Sequence, residues 1–470
     1  MTAADTGSFE PHPADASAPS GAAPDARDRA IRRLARQARY YPDIRIGTID
    51  PTGLEPRDAA LARAIDEGVT RRWLTLAHLL RELSGHPMST LEPKLIGVLM
   101  AGAFQLLFLD RVPDHAVLDE SVSWAKANIR PKAGGMVNAI LRKVADIRVE
   151  KRTGWTHARD ELPLDSGDSL ALRGPILPGP EPARTSIATG VPEELLARWG
   201  DAFGPGLARD VAHHSILRAP TILNVAHARP PLDDAERITP HRWPNHRVFT
   251  GTHAALEDLL ASRDDVWAQD PASAGAVASV ADLSPRRIVD LCAGRGTKTR
   301  QLAATFPDAR VIATDPDGER YAELRRVFEG HDRVEVMPGA RVRETCAAGA
   351  DLILLDVPCS NTGVLARRPE ARHRAGAAAV ERLTEIQRQI IADAIPLLAP
   401  EGVILYATCS VEPDENEHQA AWAQRWHGFT PQRERRCWPA GGPGAKPSEH
   451  CDGGYSVVLG RGSLPDGPGA

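Results

Sequence analysis

The chain has 470 residues, 42% of them hydrophobic, which is enough for two to four domains with real cores and too much for one. Its 57 Lys and Arg face 62 Asp and Glu, and the formal charge of −5 argues against a general nucleic-acid coat protein while leaving room for a local basic groove. None of its six cysteines forms a CxxC pair, so no metal is expected, and the lack of a secretory segment or a membrane-length apolar run predicts a reduced, cytoplasmic protein with no membrane partner.

In chain order, residues 1–26 are rich in Ala, Pro, Ser, Asp and Gly and are predicted to be a disordered tail. Helical periodicity then runs through 27–150. RDRAIRRLARQAR sets Ile31, Leu34 and Ala35 on one side and arginines on the other, a face that suits either solvent or RNA. Strand-like alternation is nearly absent there, so the region reads as an all-helical bundle. Residues 151–190 lose periodicity and collect Pro, Gly and Asp, which predicts a linker or irregular insertion. A small α/β subdomain follows at 191–266, with a helix in VPEELLARWGDAFG and strands in APTILNVAH and near HRVFTG. From 267 to 462, the short apolar segments RRIVDLC, ARVIATD, ADLILLD and GVILYATC alternate with helical ones. That pattern predicts a Rossmann-like, doubly wound α/β sheet. Residues 463–470 read as a second tail. Trp124, Trp199 and Trp267 read as packing rather than as stacking platforms.

Ligands of such sheets bind at the carboxyl ends of the strands. The first strand ends in DLCAGRGTKT, where Gly294 and Gly296 permit a tight turn into a helix. The second ends at Asp315, placed to accept hydrogen bonds from a ribose diol. Thr297 rules out a P-loop, and the missing third glycine tells against a dinucleotide. An adenosine-type ligand fits better, with S-adenosyl-L-methionine the obvious cofactor. Two glycines and an acid also serve equally well as a plain turn with a capping Asp.

The third and fourth strands end in DVPCSNTG and ATCSVEPDENE, so Cys359 and Cys409 reach the same edge. A lone cysteine is usually a small buried hydrophobe; two together suggest chemistry. Carbon-5 of a pyrimidine is a poor nucleophile. A thiolate added to carbon-6 would activate it toward a sulfonium methyl group. Asp356, protonated or sharing a proton, would neutralise charge on the ring, and a second residue would help expel the thiol. The spacing leaves open which cysteine attacks.

LDVPCSNTGVLARRPEAR and LYATCSVEPDENE resemble the two cysteine motifs of the RsmB/NOP (Fmu/Sun) family of RNA cytosine-5 methyltransferases. AFQLLFLDRVPDHAVLDESVSWAK and MVNAILRKV resemble its N-terminal NusB-like RNA-binding domain, and WAQDPASAGAV the lead-in to its catalytic sheet. The resemblance implies a Rossmann-like methyltransferase domain behind an all-helical NusB-like domain, with small-subunit ribosomal RNA as partner. It implies that Cys292, Ala293, Gly294, Arg295, Gly296, Thr297 and Lys298 hold the methionine end of the cofactor, and that Asp315 binds its ribose. Asp356 would face the base and the methyl centre, Cys409 would be the nucleophile, and Cys359 would assist release. The chain departs from the family pattern in four places: GRGTK for APGGK, Gly339 for an Asp, His373 for a Trp and DGGY for DGFF. Arg367, Arg368, Arg372 and Arg374 follow the first cysteine motif and are expected to meet phosphate. Two other classes compete: a Rossmann oxidoreductase, and a non-catalytic RNA-binding or ribosome-assembly factor with a relic sheet. The paired cysteines argue against both, and the family motif disfavours a DNA target.

Overall fold

The computed structural model describes residues 25–44, 47, 49–232, 236–462 and 464. Of the two predicted tails, only Asp25, Ala26 and Leu464 fall inside these ranges. Asp25 caps the first helix by accepting the Arg27 amide at 3.0 Å. Six helices follow: α1 (Ala26–Tyr40), α2 (Pro56–Arg71), α3 (Trp73–Ser84), α4 (Pro93–Phe108), α5 (Asp114–Asn128) and α6 (Ala133–Ile147). In α4, PKLIGVLMAGAFQLLF is apolar on every face, and it is buried from Leu95 to Leu107. The other helices are amphipathic and pack their apolar stripes around it.

Residues 148–189 are not a linker. They form three short antiparallel strands, Arg148–Arg152, Ser169–Leu172 and Glu161–Pro163 in spatial order, followed by a helix at Ala183–Thr189. Leu162, Leu170, Leu172 and Leu177 join the core of the helical bundle, so apolar burial holds the segment in place. Strands this short, interrupted by turn residues, leave too little alternation to read. Next come helices Glu193–Phe203 and Pro205–His214. A four-stranded antiparallel sheet follows, built from Thr221–Asn224, Ile238–Pro240, His246–Phe249 and Trp267–Ala268. Trp124, Trp199 and Trp267 are all buried. Among the described residues no helix is long and apolar enough to cross a membrane.

The remaining sheet has seven strands, here numbered in chain order: β1 (Arg287–Asp290), β2 (Arg310–Ala313), β3 (Val334–Val336), β4 (Ala350–Asp356), β5 (Leu398–Thr408), β6 (Thr430–Cys437) and β7 (Gly454–Gly460). Their order is β3-β2-β1-β4-β5-β7-β6, and β7 runs antiparallel to the other six. Both faces are covered. Ile353, Leu355 and Tyr406 point to one core and Leu352, Leu354 and Leu405 to the other, the period of two that a strand imposes. The order reverses between β1 and β4, which opens the crevice where such sheets bind ligands.

Two of the four arginines expected to meet phosphate, buried Arg372 and exposed Arg367, have guanidinium groups engaged by other groups of the protein. Arg372 is 1% exposed. Its guanidinium donates to the carbonyls of Arg71, Thr189 and Ser215 at 3.1, 2.8 and 2.8 Å, and its Nε to that of Pro369 at 3.0 Å. Arg71 and Thr189 end helices, and Ser215 caps the end of a third. Three helix C-termini, each carrying partial negative charge, therefore converge on one buried cation that has no carboxylate partner among the described residues. Arg367 pairs with Asp270 at 3.2 Å and Asp452 at 2.5 Å. Arg368 remains exposed and Arg374 is half-buried. His373, where the family pattern has Trp, is buried with Nε2 3.1 Å from the Thr70 carbonyl. The segment after the first cysteine motif thus bolts the helical unit to the sheet.

Arg372→Ala leaves several buried carbonyls unpaired at about 1–3 kcal/mol each. Denaturant unfolding is expected to show a loss of roughly 3 kcal/mol or more, with Arg372→Lys recovering only part of it. A loss below about 1 kcal/mol would mean that water replaces the guanidinium without cost.

Candidate active site

The end of β1 turns sharply into the helix Thr297–Thr305. Gly294 and Gly296 have φ of +56° and +87°, a region that side chains avoid. A Cβ on Gly296 would also lie 2.5 Å from the Phe328 ring, whereas Gly294 faces open space. Asp315, just past β2, is buried. Its carboxylate accepts the Gly294 amide at 2.8 Å and the Asp317 amide at 2.9 Å, which ties the two strand ends together. Asp290, the last residue of β1, was not singled out by its sequence context. It is fully buried, accepts Thr299 Oγ1 at 2.7 Å on one oxygen, and has no partner for the other. Burial lifts its pKa to about 7 against the pull of that hydrogen bond. An open glycine turn, an acid on the next strand and an orphaned carboxylate oxygen fit an adenosine-type ligand with a polar, cationic end such as S-adenosylmethionine.

Within the turn, Cys292 and Lys298 are partly buried, Ala293 is buried and Thr297 is exposed as the first residue of the helix. Burial, with Asp290, Asp356 and Asp315 nearby, pushes the Cys292 thiol pKa up and keeps it inert. Arg295 points outward to Glu323 at 3.0 Å. Lys298, expected at the cofactor carboxylate, donates to Asp356 Oδ2 at 2.8 Å. Burial works against its charge, yet Asp356, with Cys409 and Asp290 further off, holds its pKa above the ordinary lysine value.

The two thiols meet. Cys359 Sγ and Cys409 Sγ lie 3.3 Å apart, and both cysteines are free. Cys359 is buried and Cys409 half-buried. The hydrogen bond to Cys409, and then burial, push the Cys359 pKa well above the usual thiol value, so Cys359 keeps its proton. Cys409 Sγ is also 3.3 Å from Asn361 Oδ1, and Asn361 holds a left-handed conformation at φ +60°.

The loops are clamped by a residue that its motif alone did not reveal. Glu415 is fully buried. It accepts the Ser360 amide at 2.9 Å, Ser360 Oγ at 2.5 Å, Ser410 Oγ at 2.6 Å and Gln387 Nε2 at 3.1 Å. Each motif thus sends its post-cysteine serine to one carboxylate. Backbone contact completes the join: the Gly363 amide donates to the Cys409 carbonyl at 3.0 Å, and a Cβ on Gly363 would sit 2.5 Å from the Gly453 oxygen. Glu412, also buried, accepts Arg198 Nε at 2.9 Å and Trp199 Nε1 at 2.7 Å, which anchors the second loop to helix Glu193–Phe203.

The carboxyl ends of β1, β2, β4 and β5 therefore carry the predicted residues to one edge, and the inserted antiparallel β7 departs from the 3-2-1-4-5-6 order of dinucleotide-binding sheets. Fold and site define a methyltransferase rather than an oxidoreductase. Residues 280–430 match the family described as 16S rRNA methyltransferase RsmB/F, and residues 29–146 match the NusB family. The chain is 30% identical over 382 residues to ribosomal RNA small subunit methyltransferase B of Erwinia tasmaniensis, covering 77% of this chain and 81% of that one. It is 31% identical over 372 residues to the protein of the same name from Sodalis glossinidius, covering 78% and 81%. The crystal structure of PH0851 shares the fold, with a TM-score of 0.69 at 19% identity over 93% of this chain and 99% of that one. The chain belongs to the RsmB/F methyltransferase family.

Glu415→Ala removes the acceptor for both serines and frees the loops to part. Turnover is expected to fall by roughly 100-fold, because misplacement by about 1 Å is enough for that, while S-adenosylhomocysteine affinity by calorimetry stays within about threefold. A matching loss of affinity would make Glu415 a general stability residue instead.

Proposed function

We propose that the chain methylates carbon-5 of a cytosine in small-subunit ribosomal RNA, with Cys409 as nucleophile, Cys359 as the residue that assists release, and S-adenosylmethionine as methyl donor. The observation that carries the reading is the thiol pair, 3.3 Å apart at the ligand edge of the sheet and beside the Lys298–Asp356 pair. The names of the curated relatives support the ribosomal RNA target.

The exposures support this division of roles. Cys409 is the more accessible thiol, and the protonated Cys359 beside it would donate a hydrogen bond that steadies a Cys409 thiolate. That thiolate adds to carbon-6 of the base, forming a C–S bond and sending the electron pair toward the ring nitrogen. Lys298 carries an ammonium proton against Asp356, so the pair, rather than Asp356 alone, supplies the positive charge or proton that the ring nitrogen needs. The donor's sulfonium supplies an electrophilic methyl group for carbon-5. Asp290, Gly294 and Asp315 would hold that donor, with Asp315 on the ribose. To finish, a base that Cys359 positions takes the proton from carbon-5, the electron pair expels the Cys409 thiolate, and the ring nitrogen returns to the Lys298–Asp356 pair any proton it received.

Two outcomes follow. Asp315→Ala is expected to weaken cofactor affinity ten- to hundredfold, about 1.5–3 kcal/mol, with a much smaller effect on turnover at saturation. Normal affinity with a crippled maximal rate would remove Asp315 from the ribose. Cys359→Ala is expected to stall after methyl transfer and accumulate an RNA adduct that survives a denaturing gel and disappears with ribonuclease. The double variant with Cys409→Ala should show none. Trapping by Cys409→Ala would reverse the two roles. Bisulfite sequencing of RNA from cells with and without the gene locates the target, and an unchanged methylation map would sink the cytosine-5 reading.

A further inference from the structure

A groove of about 1140 Å³ runs between the helical unit and the chain that leads into the small sheet. Eight Arg or Lys residues and four Asp or Glu residues line it, in a protein whose total charge is −5. Arg57 and Arg63 come from α2, Arg111 from the turn between α4 and α5, and Arg218 from the segment after helix Pro205–His214. All four are exposed, and none of their side chains makes a hydrogen bond or ion pair with another described residue. Others are committed: Arg27 is held by Gln105 and Glu120, and Lys151 by Asp110.

Two further arginines are buried in the wall. Arg71 donates to the carbonyls of Leu217 and Ala366, and Arg72 to those of Ala188 and Pro163. Burial lowers both pKa values to about 10, and no carboxylate hydrogen-bonds to either. The floor is thus positive from within, and its four acids, Asp58, Glu67, Asp110 and Asp165, are outnumbered. Ala366 ends the loop that begins at Cys359, so one wall residue of the groove touches the active-site segment directly.

Free guanidinium groups carried by three separate elements suit a ligand with repeated, spaced anionic groups, and the fork of each matches phosphate. We propose that this groove holds the ribose-phosphate backbone of the RNA substrate outside its target base, through Arg57, Arg63, Arg111 and Arg218. The proposal rests on the RNA-methyltransferase reading above. It adds a surface on the helical unit that registers the substrate against the thiols.

The test uses the full chain, a small-subunit ribosomal RNA transcript, and the variant R57Q/R63Q/R111Q/R218Q. Each single-strand phosphate contact contributes about 0.7 to the slope of log affinity against log salt. The variant is expected to show a slope shallower by about three, an affinity at least tenfold weaker at ~0.1 M salt, and an unchanged rate at saturating RNA. The double variants R57Q/R63Q and R111Q/R218Q should each lose about half of that slope, so the outcome survives if the fourfold variant misfolds. A second set, R325Q/R326Q/R341Q/R382Q, removes equal charge from elsewhere on the surface and should leave the slope nearly intact. Equal losses in both sets would overturn the groove in favour of net charge. Unchanged binding by the groove variants, with the parent binding and methylating RNA, would overturn it and leave the methyltransferase reading standing. A parent that binds no RNA would overturn both.

Discussion

Glu415 clamps the two loops that leave the neighbouring parallel strands β4 and β5. The cysteine motifs are separated by an 18-residue helix and a full strand, yet Ser360 and Ser410 both donate to one buried carboxylate. Burying an acid is costly unless its lone pairs are filled, and here four donors fill them. The same requirement that stabilises the carboxylate therefore fixes the separation of the thiols. Gly363 and Gly453 let the loops touch main chain to main chain, and Glu412 carries the constraint outward to Arg198 and Trp199. The reactive pair is the innermost point of a polar network that reaches the neighbouring subdomain.

Much of this edge was legible because parallel strands buried on both faces leave continuous apolar runs, and each run stops where the ligand side begins. IVDLC, VIATD, LILLD and ILYATC each show the run and its chemical terminus in one string. What escaped reading depends on contacts between distant segments. Nothing local in PDENE distinguishes Glu415, whose partners include an amide 55 residues away. The partnership of Lys298 with Asp356 appears only when β4 brings Asp356 alongside. The strands at 148–172 escaped for another reason. RVEKR is almost wholly exposed and ELP is three residues long, so neither shows alternation.

The arginine run after Cys359 shows how composition misleads about charge. Arginines beside an active site suggest phosphate, but Arg372 neutralises the partial charges of three helix ends and Arg367 two buried acids. Only the fold reveals where helices stop, so a cation serving helix ends looks in sequence like a cation awaiting a ligand. The reverse holds for Arg57, Arg63, Arg111 and Arg218, which are scattered along the chain and become a cluster only when α2, the α4–α5 turn and the segment after His214 meet.

This exchange of roles bears on how a two-part enzyme aims. A substrate held by a flexibly tethered module gains local concentration and no orientation. Here Arg71 ends α2, lines the groove and donates to Ala366 at the end of the cysteine loop, while Arg372 returns the contact to the Arg71 carbonyl. The helical unit and the catalytic loop are thus reciprocal hydrogen-bond partners at one point. A backbone bound along α2 would be held at a fixed distance from Cys409 by rigid contact rather than by a tether, which raises the effective concentration of the target at the thiols without entering the chemical step.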